Sequence, residues 1–179
     1  MNRVAKFEKV SYEQFRNDMV NTFKFDMNGI DGITNETIIK KIYDDIKLPT
    51  RSTRCSAGYD FKSPIDFELM PNKTVKIPTG IRVKMDEDYV LMCFPRSGLG
   101  FKYRIRLDNT TGIIDADYYF SDNEGHIFAK ITNETLENKA VKIHQGDGFM
   151  QGIFLQYGIT DDDNADGIRN GGFGSTDRK

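Results

Sequence analysis

The sequence predicts a mainly β protein with two helices close to its N-terminus. Apolar or alternating runs that indicate short strands recur along the chain, at 81–85, 89–94, 126–132, 139–144 and 149–157. Turn sequences separate these runs, among them PTG at 78–80 and GDG at 146–148. Many short strands divided by turns are typical of a β-sandwich, a β-barrel or a jelly roll.

Residues 11–46 carry helical rather than strand periodicity. Ser11 and Gln14 form a capping-box pattern, in which the serine accepts a backbone hydrogen bond and the glutamine reaches back to the serine amide. Apolar positions recur at helical spacing in two groups, first Tyr12, Phe15, Met19 and Phe23, then Ile38, Ile39, Ile42, Tyr43 and Ile46. The GIDG stretch breaks the first helix, Thr34 or Asn35 caps the second, and Pro49 ends it. We predict two amphipathic helices packed on a core.

Composition excludes several functional classes. The formal net charge is −2, whereas a protein that wraps nucleic acid usually carries a clear basic excess. No apolar run approaches about 18 residues and no apolar signal-peptide core is present, so we expect neither a membrane partner nor secretion. Cys55 and Cys93 are too few for a disulfide framework and, with two histidines, lack zinc-site spacing. We therefore expect one cytoplasmic domain covering residues 1–179.

Polar residues cluster inside or beside the predicted strands. The stretch SAGYDF offers small residues and the carboxylate of Asp60. In PRSGLG, at 95–100, a strand-ending proline precedes Arg96, Ser97 and Gly98. Their guanidinium, hydroxyl and backbone amides suit a phosphate group. An ordinary turn that caps a short helix is the alternative.

Two further clusters follow in the strand region. DNTTGIIDADYYF, at 108–120, has a hairpin turn at Asn109 and then Asp115 and Asp117, whose alternate spacing would point both carboxylates the same way on a strand. The alternative is an exposed strand edge without a metal. GDGFMQG is a turn that feeds a strand carrying Gln151, and a plain hairpin is its simpler explanation.

The chain closes with NGGFGST at 170–176, where three glycines disfavour a helix or a central strand. Such a segment is either a loose tail or a place where backbone amides approach a ligand closely. Because the sequence is polar and glycine-rich from Thr160 onward, we expect residues 160–179 to form a mobile tail.

Taken in chain order, five stretches resemble the five motifs of the homotrimeric dUTPase family. They are AGYDF, PRSGLG, GIIDADY, GDGFMQ and RNGGFGST. The resemblance covers residues 47–176 and includes the lead-in KLPTRST. One short motif would be weak evidence, whereas five in the right order at plausible strand spacing are very specific.

The resemblance implies a jelly-roll-like β-barrel subunit that forms a homotrimer, with each active site built from three chains. Family members hydrolyse dUTP to dUMP and pyrophosphate with Mg²⁺, which limits uracil in DNA and supplies dUMP for dTMP synthesis. Asp115 matches the carboxylate that deprotonates the water attacking the α-phosphorus, and Tyr118 matches the tyrosine beneath the deoxyribose. Asp60 matches a carboxylate that contacts the water shell of the magnesium ion.

The resemblance also implies a set of substrate-binding residues. The hairpin that reads uracil is matched by Asn109, Gly112, Ile113 and Ile114. The contacts to the phosphates are matched by Arg96, Ser97, Gly98 and Gln151, the last near the α-phosphate and its water. The glycine-rich ending supplies Phe173 to stack on uracil, Gly174 for close backbone approach, and Arg169, Ser175 and Thr176 for the outer phosphates.

The sequence departs from the family pattern in four places. Gly148 stands where a basic residue is usual, and residues 119–124 form an inserted loop. Arg169 lies one residue closer to Phe173 than in most members. The helical segment 11–46 is extra, and because every matched motif follows it, we expect it to be peripheral to catalysis.

Two alternatives remain. The dCTP deaminases are related and share this fold, but they use a glutamate base and lack the glycine-rich ending. A nucleotide-sensing interaction protein would use the helical segment as a docking surface.

Overall fold

The computed structural model describes residues 2–24 and 35–171, which form a mainly β body with three α-helices and a 3₁₀ turn. The helices are α1 (Tyr12–Phe23), α2 (Asn35–Asp45) and α3 (Ser97–Tyr103), and the 3₁₀ turn is Ala116–Phe120. The strands are β1 (Ala5–Lys9), β2 (Thr50–Arg51), β3 (Tyr59–Lys62), β4 (Phe67–Leu69), β5 (Thr74–Pro78), β6 (Ile81–Met85), β7 (Tyr89–Pro95), β8 (Ile105–Leu107), β9 (Gly112–Ile114), β10 (Phe128–Asn133), β11 (Val141–Ile143) and β12 (Gly148–Gln156).

All strand pairs in the described ranges are antiparallel, and they form four separate sheets. The largest has the order β2-β3-β12-β7-β9, and the others are β5-β10-β8, β1-β6 and β11-β4. Strand β12 lies at the centre of the largest sheet, with β3 on one side and β7 on the other. The position of β12 brings three of the predicted phosphate-site residues close together, because β3 carries Asp60, β12 carries Gln151 and Arg96 follows β7.

All five strands predicted from apolar runs are present, with ends within two residues of the predicted ones. The strands that the sequence did not reveal are short or carry few buried residues. In β1, for example, only Phe7 is buried. A strand held chiefly by backbone hydrogen bonds to a neighbour leaves little hydrophobic pattern, and this explains why such strands were missed.

Both predicted helices are present, and each buries an apolar face. Phe15 and Met19 of α1 and Ile39 of α2 are fully buried. α2 begins at Asn35, so this residue is helical rather than a cap, and α2 ends before Pro49. The GIDG break and Thr34 lie outside the described residues. None of the helices in the described ranges is long and apolar enough to cross a membrane.

Of the two hydrogen bonds predicted for the capping box of α1, one is present and the other is not. The Ser11 hydroxyl accepts the Gln14 amide at 3.1 Å, as predicted. The Gln14 side chain, however, donates to Asp18 at 2.8 Å instead of reaching back. Glu124 takes its place, since its carboxylate accepts the Ser11 amide at 2.7 Å. A residue far along the chain thus caps α1, and no local pattern could have shown it.

The turn between β5 and β6 is the place where the helices meet the sheets. Its Gly80 has φ +73°, and its carbonyl accepts the Val10 amide at 3.1 Å just before α1. A Cβ at this position would overlap Ile46 Cδ1 and lie 3.3 Å from the Phe15 ring. Glycine is therefore required here both by the left-handed backbone and by the close approach of two buried side chains.

We predict that Gly80→Ala destabilises the protein more than Gly146→Ala does. Gly146 has φ +88°, but no neighbouring atom lies within 4 Å of the position that a Cβ would take, so its substitution measures the backbone term alone, about 1–2 kcal/mol. Gly80→Ala adds overpacking of about 1–3 kcal/mol. Urea unfolding at a fixed protein concentration measures both. Equal losses of unfolding free energy would show that the helices do not press on this turn.

Candidate active site

A cavity of about 670 Å³ opens beside the β8–β9 hairpin. Its lining comes from the hairpin, the 3₁₀ turn, β10 and Arg169, and it includes Asn109, Gly112, Ile113, Ile114, Asp115 and Tyr118. Six of the residues predicted for catalysis, uracil or sugar therefore surround one space. Cys93 and Met150, which are buried, also line it. Burial raises the pKa of the Cys93 thiol to about 12, so this thiol stays protonated at neutral pH and is not a nucleophile.

The hairpin holds its backbone toward the cavity because β9 is fixed to the central sheet. Gly112 pairs with Cys93 of β7, and Ile114 pairs with Leu91. Asn109 lies at the exposed tip, where the Thr110 amide donates to Leu107 O at 2.9 Å and closes the turn. The backbone of a short strand and turn is thereby placed at the cavity wall with little freedom to move.

The carboxylates of Asp115 and Asp117, which follow the hairpin, both form ion pairs with the Arg169 guanidinium. Asp115 Oδ2 accepts from Arg169 Nη2 at 2.5 Å, and Asp117 Oδ1 accepts from Arg169 Nε at 2.8 Å. The prediction that they share a strand face is wrong, because β9 ends at Ile114 and Asp115 precedes the 3₁₀ turn. The turn still leaves both carboxylates within reach of the same guanidinium, which is a planar double donor.

Tyr118 is held by its hydroxyl while its ring lines the cavity. The hydroxyl donates to His126 O at 2.8 Å and accepts from Asn123 Nδ2 at 2.8 Å. Only 6% of the residue is exposed, and burial raises the pKa of Tyr118, so the hydroxyl remains a donor. A ring anchored at its far end in this way is a stiff wall.

A second polar group surrounds Arg96, at the end of β7. Arg96 Nε lies 3.2 Å from Asp60 Oδ1, and Arg96 Nη1 donates to Gly148 O at 3.3 Å. Ser52 donates to the other Asp60 oxygen at 2.9 Å. Gln151 faces Asp60 across the β3–β12 pair and donates to Pro95 O at 3.4 Å. The register of the central sheet thus brings together three residues from distant parts of the sequence.

Gly148 leaves the space that the Arg96 side chain occupies. A Cβ at Gly148 would lie 2.6 Å from Arg96 Nη1 and 3.0 Å from its Cδ. The glycine that is unusual in the fourth motif therefore lies where the Arg96 guanidinium packs against the backbone. The ion pair with Asp60 is the salt link found at this place.

Ser97 and Gly98 begin α3, with Arg96 as the N-terminal cap. Both are exposed, while the Leu99 and Gly100 amides bond to Arg96 O at 3.0 Å. The short helix that the sequence left as an alternative is present, and it places the first two residues of the helix at the surface. Phe173, Gly174, Ser175 and Thr176 lie outside the described residues.

Sequence reasoning missed the residues that hold Tyr118. Asn123 and His126 belong to or follow the segment recognised as an insertion, and Asp18 of α1 bonds to His126. Nothing in their spacing points to the tyrosine, because these contacts join distant segments. Within the described ranges, no group of three His, Cys, Asp or Glu side chains is arranged to hold a metal ion.

Comparison with known proteins places this arrangement in one class. A dUTPase family model matches residues 44–177. The deoxyuridine 5'-triphosphate nucleotidohydrolase of Lactococcus lactis subsp. lactis (strain IL1403) is 39% identical over 144 residues, which are 79% of this chain and 95% of the relative.

Solved structures agree with this similarity. The crystal structure of dUTPase from Streptococcus mutans matches with a TM-score of 0.58 and 37% identity, over 66% of this chain and 91% of that one. A mutant dUTPase from phage phi11 of S. aureus, in which a structural Mg(II) ion is coordinated, shares the fold. Its TM-score is 0.56 at 22% identity, over 69% of this chain and 92% of that one. The relatives that share this β scaffold are nucleotide hydrolases. The chain belongs to the dUTPase family.

We predict that Gly148→Ala moves the Arg96 guanidinium away from Asp60 at little cost in stability. The new methyl group would meet the flexible end of a side chain rather than backbone, so the free energy of unfolding should change by about 0.5 kcal/mol or less. A crystal structure and a urea titration of the variant check this. Gly158→Ala, where nothing lies within 4 Å, is the control. An unchanged Arg96–Asp60 distance in the variant would contradict the steric explanation.

Proposed function

We propose that the protein hydrolyses dUTP to dUMP and pyrophosphate by attack of water on the α-phosphorus, with Asp115 as the base. The observation that carries this proposal is the position of Asp115, partly exposed at the rim of the cavity and directly after the β8–β9 hairpin. Family membership supports the same chemistry. Neither alternative function is favoured, because the relatives compared above are dUTPases.

The hairpin and the 3₁₀ turn would divide the recognition of the nucleoside. Backbone groups of Gly112, Ile113 and Ile114, with the Asn109 amide, read the edge of uracil and leave no room for a methyl group on C5. The Tyr118 ring lies under the deoxyribose, where a 2′-hydroxyl would clash. Its burial and its two hydroxyl hydrogen bonds support this role, because steric exclusion requires a wall that does not yield.

The residues around Arg96 would bind the phosphates. The guanidinium of Arg96 and the exposed start of α3 at Ser97 and Gly98 offer donors to phosphate oxygens. Gln151, next to Asp60 in the sheet, would contact the α-phosphate and the attacking water. Hydrolysis of a triphosphate depends on neutralising charge and on positioning, and these donors suit that task.

The donor set around Asp60 fits Mg²⁺ only through water. One Asp60 oxygen is next to Arg96 and the other accepts from Ser52, so this carboxylate cannot form a cage of direct ligands. Mg²⁺ keeps several waters and takes phosphate oxygens readily, and when bound it would neutralise phosphate charge. Asp60 would accept hydrogen bonds from its water shell.

Arg169 would have two positions during turnover. While its guanidinium is paired with Asp115, it occupies one of the two carboxylate oxygens that could accept a proton from water. The outer phosphates of the substrate offer charged oxygens that a guanidinium can bind in the same bidentate way, in place of two partly exposed carboxylates. Binding of dUTP would therefore draw Arg169 onto the phosphates and leave Asp115 free to act on the attacking water.

We further propose that the subunit is a jelly-roll-like barrel that forms a homotrimer with shared active sites. Several apolar side chains at and after the end of β12 are exposed in the single chain, namely Leu155, Tyr157 and Ile159. Apolar side chains that a single chain leaves exposed support an assembly in which a neighbouring subunit covers them. The ending would act as a lid, with Phe173 on uracil and Gly174, Ser175 and Thr176 at the phosphates.

We predict that Asp115→Asn lowers turnover of dUTP by about 100-fold or more, since the amide keeps the shape but cannot accept the proton. Affinity for the nucleotide should be largely retained. Pyrophosphate release measures turnover, and titration with dUMP measures affinity. The matched control is Asp117→Asn, which loses a contact to the same Arg169. We expect it to lower turnover about fivefold at most, the contribution of one exposed ion pair. Equal losses in both variants would rule out Asp115 as the base.

We predict that a chain stopped after Asp166 forms a stable trimer that binds dUMP but hydrolyses dUTP about tenfold or more slowly. It lacks Arg169 and the hydroxyls that follow, and one charge-assisted contact to phosphate accounts for that factor. Size-exclusion chromatography and pyrophosphate release measure the two properties.

Mixing this truncated chain with the Asp115→Asn chain tests whether the ending acts across subunits. Hybrid trimers should regain activity, because one chain supplies the ending and another supplies the aspartate. If hybrid trimers form and stay inactive, the ending serves only its own chain, as the contact of Arg169 with Asp115 of the same chain would allow.

A further inference from the structure

The two segments that the family pattern does not explain contact each other. The loop after the 3₁₀ turn carries Glu124, whose carboxylate accepts both the amide and the hydroxyl of Ser11, at 2.7 and 2.6 Å. Ser11 is the N-terminal cap of α1. In the 3₁₀ turn that precedes this loop, Tyr119 donates to Glu8 of β1 at 2.8 Å. The inserted loop is therefore fastened to the N-terminal segment at several points.

A buried histidine makes a further connection between this region and α1. His126 has no exposed surface, and its Nε2 accepts the Gly80 amide at 2.8 Å. Since Nε2 is an acceptor, the proton of the neutral ring is on Nδ1. Nδ1 then donates to Asp18 Oδ2 of α1 at 2.6 Å. The ring is thus bonded on one side to α1 and on the other to the β5–β6 turn, and it takes no part in the proposed catalysis.

The backbone of the same histidine holds the sugar-facing tyrosine. Tyr118 donates to His126 O at 2.8 Å, and its other partner, Asn123, lies in the loop that Glu124 fastens to α1. Asn123 is itself held by Ser121, whose hydroxyl donates to Asn123 Oδ1 at 2.8 Å. Asp18 and the Tyr118 hydroxyl are thus both bonded to His126, the first to its ring and the second to its carbonyl oxygen.

We propose that α1 positions Tyr118 through the Asp18–His126 contact, and that Asp18 is a specificity-determining residue for the sugar. This inference rests on the proposed role of Tyr118 against the 2′-hydroxyl. The Tyr118 ring can exclude a 2′-hydroxyl only if it does not move aside. It is held in place because both partners of its hydroxyl belong to residues that make further hydrogen bonds, His126 to Asp18 and Asn123 to Ser121. Asp18 never approaches the substrate and is a positioning residue. The helical segment is therefore not peripheral to the site.

The test compares variants of the full chain by their kcat/KM for dUTP and for UTP, with thermal unfolding measured in parallel. Asp18→Ala leaves the Nδ1 proton of His126 without its partner, so the dUTP to UTP ratio should fall about threefold or more, the lower range for coupling within one network. Asp18→Asn keeps an oxygen that accepts this proton and should keep the ratio. Asp18→Ser, which is polar but too short to reach, should behave like Asp18→Ala and replaces it if that variant does not fold.

A matched control separates positioning from general loss of stability. Glu36 of α2 binds Tyr12 and Arg16 of α1, and thereby joins the two helices without contacting His126. Glu36→Ala should lower the unfolding temperature while leaving the dUTP to UTP ratio unchanged. A fall in the ratio with Glu36→Ala as large as that with Asp18→Ala would overturn the inference.

A double-mutant comparison tests the path. Tyr118→Phe keeps the ring and removes the hydroxyl, so Asp18→Ala should produce no further fall in the ratio when combined with it. Additive losses, or no change with Asp18→Ala alone, would overturn the inference while the role of Tyr118 stands. Tyr118→Ala tests that role separately. If this variant folds and keeps the wild-type ratio, the proposed sugar function fails, and the inference fails with it.

Discussion

The double pairing of β12 is the constraint on which the site depends. This strand bonds to β3 on one side and to β7 on the other, and its Gln151 lies between Asp60 and Phe94. The pairing with β3 sets Asp60 opposite Gln151, and the pairing with β7 brings Arg96 to the same edge. β7 in turn holds the β8–β9 hairpin through Cys93 and Gly112. A shift of one residue in this register would turn the Gln151 side chain to the other face of the sheet.

Charge is handled differently in the two polar groups. Around Arg96, an ion pair and a serine hydroxyl satisfy Asp60, whose side chain is only 13% exposed, and the space left by Gly148 allows the guanidinium to lie there. At the cavity rim, by contrast, Asp115 and Asp117 share a guanidinium supplied by the C-terminal segment. The first pair is built into the sheet. The second joins the C-terminal segment to the start of the 3₁₀ turn through carboxylates that are 46% and 54% exposed.

The helical segment illustrates how an addition to a fold becomes part of its core. Its apolar faces cover the β5–β6 turn, where a glycine is needed to admit Ile46 and Phe15. Once such a surface is buried, its polar groups must also find partners, because an unsatisfied buried donor costs about 1–3 kcal/mol. His126, Asp18 and Gly80 satisfy one another there. His126 also accepts the hydroxyl of Tyr118 at its carbonyl oxygen, so the same residue contacts both the added segment and the cavity lining.

The sequence by itself determined the strand-rich class, the two helices and the order of the motifs, because these depend on local periodicity and turn chemistry. The resemblance of its motifs to a known family also implied six residues that line the cavity, namely Asn109, Gly112, Ile113, Ile114, Asp115 and Tyr118. The tertiary structure alone decided which distant residues meet: Glu124 on Ser11, Arg96 on Asp60, and Asp18 on His126. It also corrected the strand assigned to Asp115 and Asp117, because a 3₁₀ turn begins where the ladder to β7 ends. Hydrogen bonds and ion pairs between segments leave no period in a sequence, since each requires only one suitable residue at each end and a fold that brings the two together.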